Sequence, residues 1–341
     1  MEIESKRLPD PAVVAALCRH PLLNPPTPAV VKAAALVLSS KLSAGQGFQH
    51  IAGNCLAQIR GNAAGVELGS DPESVHQMRV GLRRLRSALG LFAGSVRCPV
   101  ALQAQLAWLG SALGSARDWE VLAGSTLMSA VDACPDQAAF AQLLQAAQAQ
   151  ARRQRQKAAH AVASVRYAHL LLALDGWISG AAWGELPIPA AEQALQAPLA
   201  GFAARILARC HAKLHKRGRQ QGGKAAPSIP TTGSDAARKR HRLRIAAKKV
   251  RYASEFFQSL YQAGQMRAYL NALTGLQDAL GALNDAAVAA GLLRQLAHSH
   301  PELAYSAGCV QGYLAAGAQR DVRKLGRLWR QFSRMKLPHG N

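Results

Sequence analysis

The sequence predicts an all-α protein, built as two four-helix bundles that arise from an internal duplication and are pseudo-twofold related. Three observations carry that prediction. Apolar residues recur at three- and four-residue spacing, Ala, Leu, Gln and Arg dominate, and β-branched runs are missing. Prolines and glycine clusters cut the text into pieces of helix length. One block of residues occurs twice in the same order.

The breaks fall at 21–28, 61–72, 98–99, 134–135, 184–189, 218–233 and 300–301. The segments between them are long enough for bundle helices. Ser70-Asp71-Pro72-Glu73 supplies a helix start, with a capping side chain, proline in the first turn and a carboxylate near the positive dipole end. The organisation expected is a short N-terminal segment over 1–28, a first half over 29–190 and a second half over 191–341.

In the repeat, His76 aligns with His241 at an offset of 165. Arg79 then falls on Arg244, Arg83-Arg84 on Lys248-Lys249, Arg86 on Arg251 and Phe92 on Phe257. A second pair of blocks follows at an offset of 167, with Leu113-Gly114, Asp118 and Val121 matching Leu280-Gly281, Asp285 and Val288. At the helical angle per residue, His76, Arg79, Arg83 and Arg86 form a stripe about 80° wide. Met78, Leu82, Leu85, Leu89 and Phe92 form the apolar stripe of the same helix. The second copy sets His241, Arg244, Lys248 and Arg251 apart from Leu243, Ala247, Val250 and Phe257 in the same way. Arg84 and Lys249 sit off the stripe.

Two further basic stripes exist: Arg205, Arg209, Lys213 and Lys216, and Arg320, Arg323, Arg327, Arg330 and Arg334. One such stripe reads as a solvated helix face. The stripe cations are read here as lacking acidic partners at i+4, so they repel one another by a few tenths of a kcal/mol per pair unless an anion intervenes. Repetition of the pattern in both halves favours a surface that binds anions.

Charge points the same way. The 341 residues hold 41 Lys and Arg against 19 Asp and Glu, a net +22 that attracts polyanions. With aromatics at only 5%, a single-strand binder that stacks bases on aromatic platforms is disfavoured. Six scattered cysteines with no CxxC spacing suggest a reducing compartment. The charged opening MEIESKRLPD is not a signal peptide, and no apolar run is long enough for a membrane span, so a cytoplasmic location is expected. Glu73 and His76 have the ExxH spacing of di-iron bundles, but Arg238 stands where Glu73 would repeat; no metal site and no cofactor are expected. His76 and His241, among cations, should have lowered pKa values without an anion, or else serve as structural histidines. Asp118 and Asp285 read as helix caps or as partners of the cationic helices.

Residues 71–92 (DPESVHQMRVGLRRLRSALGLF), the following LG-x3-D-x2-V block and residues 240–257 (RHRLRIAAKKVRYASEFF) resemble the CHAD domain, the conserved histidine α-helical domain. The resemblance covers roughly 29–336. It implies two four-helix bundles with a basic surface or pore where they meet. It also implies binding of inorganic polyphosphate, carried here by His76, Arg79, Arg83, Arg84, Arg86, His241, Arg244, Lys248, Lys249, Arg251 and Tyr252. Some members of the family it resembles are associated with polyphosphate or polyhydroxyalkanoate granules. The opening Glu2-Ile3-Glu4-Ser5-Lys6 resembles the ExExK start of the CYTH, or triphosphate-tunnel, domain, although too few residues precede the first helix for its barrel. The expected function is therefore non-enzymatic polyphosphate binding. A general polyanion or nucleic-acid-binding architectural protein is the alternative, and a triphosphatase using the ExExK remnant is a third reading.

Overall fold

The computed structural model describes residues 28–69, 71–180, 189–220 and 235–340. The N-terminal ExExK segment therefore lies outside the described residues, as do most of the expected 218–233 loop and the end of the chain. Among the described residues the regular elements are helical, with two isolated bridges, Ser43 to Pro198 and Tyr261 to Gly340. The α-helices are α1 (Ala44–Gly61), α2 (Ala63–Leu68), α3 (Pro72–Leu91), α4 (Val100–Val121), α5 (Gln137–Val162) and α6 (Val165–Ser179), followed by α7 (Pro189–Gln196), α8 (Leu199–Arg219), α9 (Asp235–Phe257), α10 (Ala263–Ser299) and α11 (Ala304–Phe332). A π-helical turn, Leu122–Thr126, prolongs α4, and a 3-10 turn, Val131–Ala133, follows it.

Local chemistry sets the helix starts. Ser43 and Gln46 form a reciprocal capping box at α1, with bonds of 2.9 and 3.2 Å. Asp71 accepts from the Glu73 amide at 2.8 Å ahead of Pro72, the start expected from the sequence. Asp136 caps α5 through the Ala139 amide and Ser164 caps α6 through the Tyr167 amide. Such caps contribute about 1 kcal/mol each. α2 ends at Gly69, whose φ of 64° is left-handed and suits glycine.

Packing follows one order twice. α1 lies on α3, α3 on α4 and α4 on α5; then α8 lies on α9, α9 on α10 and α10 on α11. The two sets are not separate cores. α3 packs on α9 and α1 on α8, and one apolar cluster takes side chains from both halves. At its centre Phe92 meets Phe48, Phe202 and Phe257 at ring distances of 5.2, 4.7 and 6.3 Å. Phe92 and Phe257 are thus both repeat-equivalent and in contact. Fully burying one such side chain contributes about 1.5–3 kcal/mol.

A second, smaller cluster ties together the far ends of the α4–α5 and α10–α11 hairpins. Trp119, Leu122, Leu127, Phe140 and Leu143 meet Leu293, Leu296, Ala307 and Val310 there. On the other flank, α8 and α11 are joined by ring contacts that are tilted or edge-on. His211 and His215 lie 4.2 Å apart, His211 Nδ1 is 2.8 Å from the Tyr269 hydroxyl, and His215 packs edge-on to Trp329. Burial, followed by the neighbouring His215, holds the His211 pKa down at about 4. Among the described helices none is long and apolar enough to cross a membrane.

Candidate anion-binding site

Between the two apolar clusters lies a cavity of about 240 Å³. The points at which α4 and α10 pass from one cluster to the other explain its position. On α4 the core contacts of Leu113 and Ala116 belong to the larger cluster and those of Trp119 to the smaller one, so Arg117 and Asp118 fall between. On α10, Leu283 belongs to the first cluster and Ala289 to the second, which leaves Asn284 and Asp285 between. From the repeated helices, α3 sends His76, Arg79 and Arg83 into this space and α9 sends Arg244 and Lys248. The sequence repeat and the tertiary structure thus bring cations from both halves to one place.

The cavity is short of negative charge. Five cations face two carboxylates, and the pairing is loose: Arg79 Nη2 is 3.7 Å from Asp118 Oδ1. The Nε donors of Arg83 and Arg244 are buried with no hydrogen-bond partner. A buried donor left unmade costs about 1–3 kcal/mol. Burial, and then Arg244, Arg83 and Arg79, push the Lys248 ammonium down to about 7. Burial lowers His76 as well, with Arg117, Arg83 and Arg79 adding to it against Glu73. Burial also lowers Arg79 and Arg244, which nevertheless stay charged at neutral pH. Asp118 is raised by burial in spite of Arg79. Gly114 has a local role here: a Cβ on it would stand 2.6 Å from Arg79 Nη1, so glycine leaves room for the guanidinium.

The remaining sequence candidates separate from this group. Arg86 shares the stripe angle but lies nearly three turns beyond His76, where the helix has passed the cavity. It is exposed and borders a different groove, of about 620 Å³, with Arg97, Leu89 and Leu106. Arg251 is likewise beyond the cavity and is engaged by Glu255 at 2.6 Å and Gln277 at 3.3 Å. Glu255 is an i+4 acidic partner, which corrects the reading of that stripe as lacking one. Arg84 is buried at 7% exposure, donates to Gln58 Oε1 at 2.9 Å and lies 5.5 Å over the Phe256 ring. Its off-stripe angle turned it into the core, where it serves packing. Tyr252 is also buried and stacks with Phe256, away from the cavity. Lys249 reaches toward Gly90, and His241 is exposed outside the cavity lining. Arg205, Arg209 and Lys213 are exposed on α8, with Arg209 donating to the Leu91 carbonyl at 3.3 Å. Arg320, Arg323, Arg327 and Arg330 are exposed on α11.

Sequence reasoning missed Arg117 and Asn284. Both stand directly before the repeated aspartates, so Arg117-Asp118 aligns with Asn284-Asp285 at the same offset of 167. That alignment was the available signal. Among the described residues no group of three or more His, Cys, Asp or Glu could hold a metal ion.

A family model of the CHAD domain matches residues 50–294. Among solved structures, the fold is similar to the crystal structure of the CHAD domain from the plant Ricinus communis, with a TM-score of 0.78 and 37% identity over 92% of this chain and 99% of that one. It is also similar in fold to PptA from Streptomyces chartreusis, with a TM-score of 0.58 and 18% identity over 84% of this chain and 99% of that one. No curated protein matches. From the family match and the Ricinus likeness together, the chain belongs to the CHAD domain family.

Proposed function

We propose that the chain binds inorganic polyphosphate, without cleaving it, in the cavity between α3, α4, α9 and α10. The CHAD family is linked to polyphosphate binding in general, which supports the reading. The observation that carries it is the gathering of five cations from both halves, Arg79, Arg83, Arg117, Arg244 and Lys248, around one cavity that holds only two carboxylates, Asp118 and Asp285. Phosphate oxygens supply what these groups lack: negative charge and several acceptors at each unit of the chain. A single chain of phosphates is slim enough for this space, whereas a nucleic-acid duplex must use the outer faces.

The α8 and α11 stripes keep the second reading, a general polyanion or nucleic-acid binder, in play, because their arginines are exposed to any large polyanion. Competition of long-chain polyphosphate against duplex DNA and RNA for a labelled polyphosphate separates the two. Preference for polyphosphate that disappears in Arg83→Ala, Arg244→Ala supports the cavity. Equal competition that depends on Arg323 and Arg327 returns the function to the surface. Incubation with polyphosphate and with triphosphate plus Mg²⁺ or Mn²⁺ should leave free phosphate at background.

A further inference from the structure

The far ends of the two long hairpins meet in the smaller apolar cluster, and two thiols, one from each half, pack in it. Cys134 stands between the 3-10 turn and α5 and is fully covered. Cys309 lies in the early turns of α11, half-buried, and packs against the same cluster. Both side chains pack in that one cluster, close enough for Cys309 to oppose ionisation of the Cys134 thiol. Tyr305, one turn before Cys309, is exposed, and Cys309 raises its pKa. Cys134 Sγ is also 3.4 Å from the Asp136 carbonyl oxygen. The contact joins residues 175 positions apart, from opposite halves of the chain.

We propose that Cys134 and Cys309 are a redox modification site, oxidised by a hydroperoxide to a reversible disulfide that staples the α4–α5 hairpin to the α10–α11 hairpin. Cys309 is the more accessible sulfur and reacts first. Its sulfur attacks one peroxide oxygen, the O–O bond breaks, and a sulfenic acid and one water result. Cys134 then attacks the oxidised sulfur; the S–S bond forms, the S–O bond breaks, and the second water leaves. Two thiols lose two electrons and one hydrogen peroxide gains them. Burial, with Cys309 adjacent, raises the Cys134 thiol above its usual range, which makes it the less reactive of the two toward peroxide. Cys55 and Cys98, pushed up by burial to about 12 and about 11, are internal references expected to stay reduced.

The position of the bond gives it a consequence, which rests on the proposed function. Leu122 and Ala289 belong to the stapled cluster and also line the cationic cavity. With the hairpin ends locked, the space beside them cannot open sideways, and a bound polymer must leave end-first.

The test uses the full chain treated with a small excess of hydrogen peroxide, followed by non-reducing peptide mapping. The expected result is a Cys134–Cys309 linked peptide, two hydrogens lighter than the pair, lost on adding a thiol reductant and absent in Cys309→Ser and Cys309→Ala. The melting temperature should rise by ~5 °C or more, given the long loop closed. Dissociation of long-chain polyphosphate should slow several-fold on oxidation in the wild type and stay unchanged in Cys309→Ser. Thiols that both remain open to alkylation, a Cys309 sulfinic acid without the link, or a bond between chains would each overturn the site. A disulfide that forms in a protein that binds no polyphosphate sinks the proposed function and leaves the staple standing. A disulfide that forms without slowing release overturns the gating.

Discussion

Arg83 and Arg244 come from opposite halves of the chain, face one cavity, and each buries an Nε that nothing in the protein satisfies. The two positions are not repeat equivalents: Arg83 aligns with Lys248 and Arg244 with Arg79. The site is therefore built from both steps of the repeated stripe on each helix.

Removing one contributor from each half should cost nearly the same. Arg83→Ala and Arg244→Ala are each expected to weaken long-chain polyphosphate binding by ~1–3 kcal/mol, or about 5-fold to 150-fold. Titration calorimetry in rising salt should also show a shallower salt slope for each variant. Melting temperatures should hold or rise, since like charges are removed. Arg323→Ala and Arg327→Ala, on the outer face of α11, should change affinity little.

Lys248 links binding to protons. Its folded pKa of about 7 lies below the ordinary lysine value of 10.5, so the unfolded chain binds more protons between those limits. The ligand-free protein should therefore gain stability as pH rises from about 7 toward 10, and His76, also lowered, works in the same direction at more acid pH. Bound phosphate should restore the ammonium charge. Calorimetry at pH 7.5 in two buffers of different ionisation enthalpy should report net proton uptake on binding, reduced in Lys248→Met.

Arg84 should behave oppositely to Arg83, its neighbour in sequence. Its guanidinium is held by Gln58 and by the Phe256 ring, and Gln58 bonds onward to Gln77 at 3.0 Å. Arg84→Ala leaves a void and orphans Gln58, so chemical denaturation should show a loss of about 2–4 kcal/mol. Polyphosphate affinity measured well below the transition should stay within about twofold of wild type.

Gly218 is where α8 lies against the Trp329 indole, and a Cβ there would fall within the ring. Gly218→Ala should destabilise the protein by about 1–3 kcal/mol through overpacking. Near-ultraviolet circular dichroism of Trp329 would register the displacement, and Gly281→Ala, with open space around it, should register none.

Much of this was legible in the sequence because helical periodicity and a repeated block are both local signals. The Asp71-Pro72 helix start and the apolar stripe of Met78, Leu82 and Leu85 follow from spacing alone. Angle around a helix is also a local property, so Arg79 and Arg83 could be put on one face. Depth along the axis is not. It depends on where the two apolar clusters end, which is why Arg86 and Arg251 share the face yet lie outside the cavity. Arg84 and Tyr252 were read by motif membership when burial governs them. Arg117 carries no periodic signal, since its significance comes from the gap between Ala116 and Trp119.

The cationic cavity is bracketed by dry side-chain clusters at both ends. Like charges gathered in one space push their helices apart, and apolar contacts on either side resist that push. The site is thus preorganised: the two clusters space its walls, so little ordering cost falls on binding itself. Arrival of a polyanion removes an outward pressure and leaves the frame in place. Amide hydrogen exchange along α3 and α9 should therefore slow on loading, while the backbone positions of those helices remain where they were.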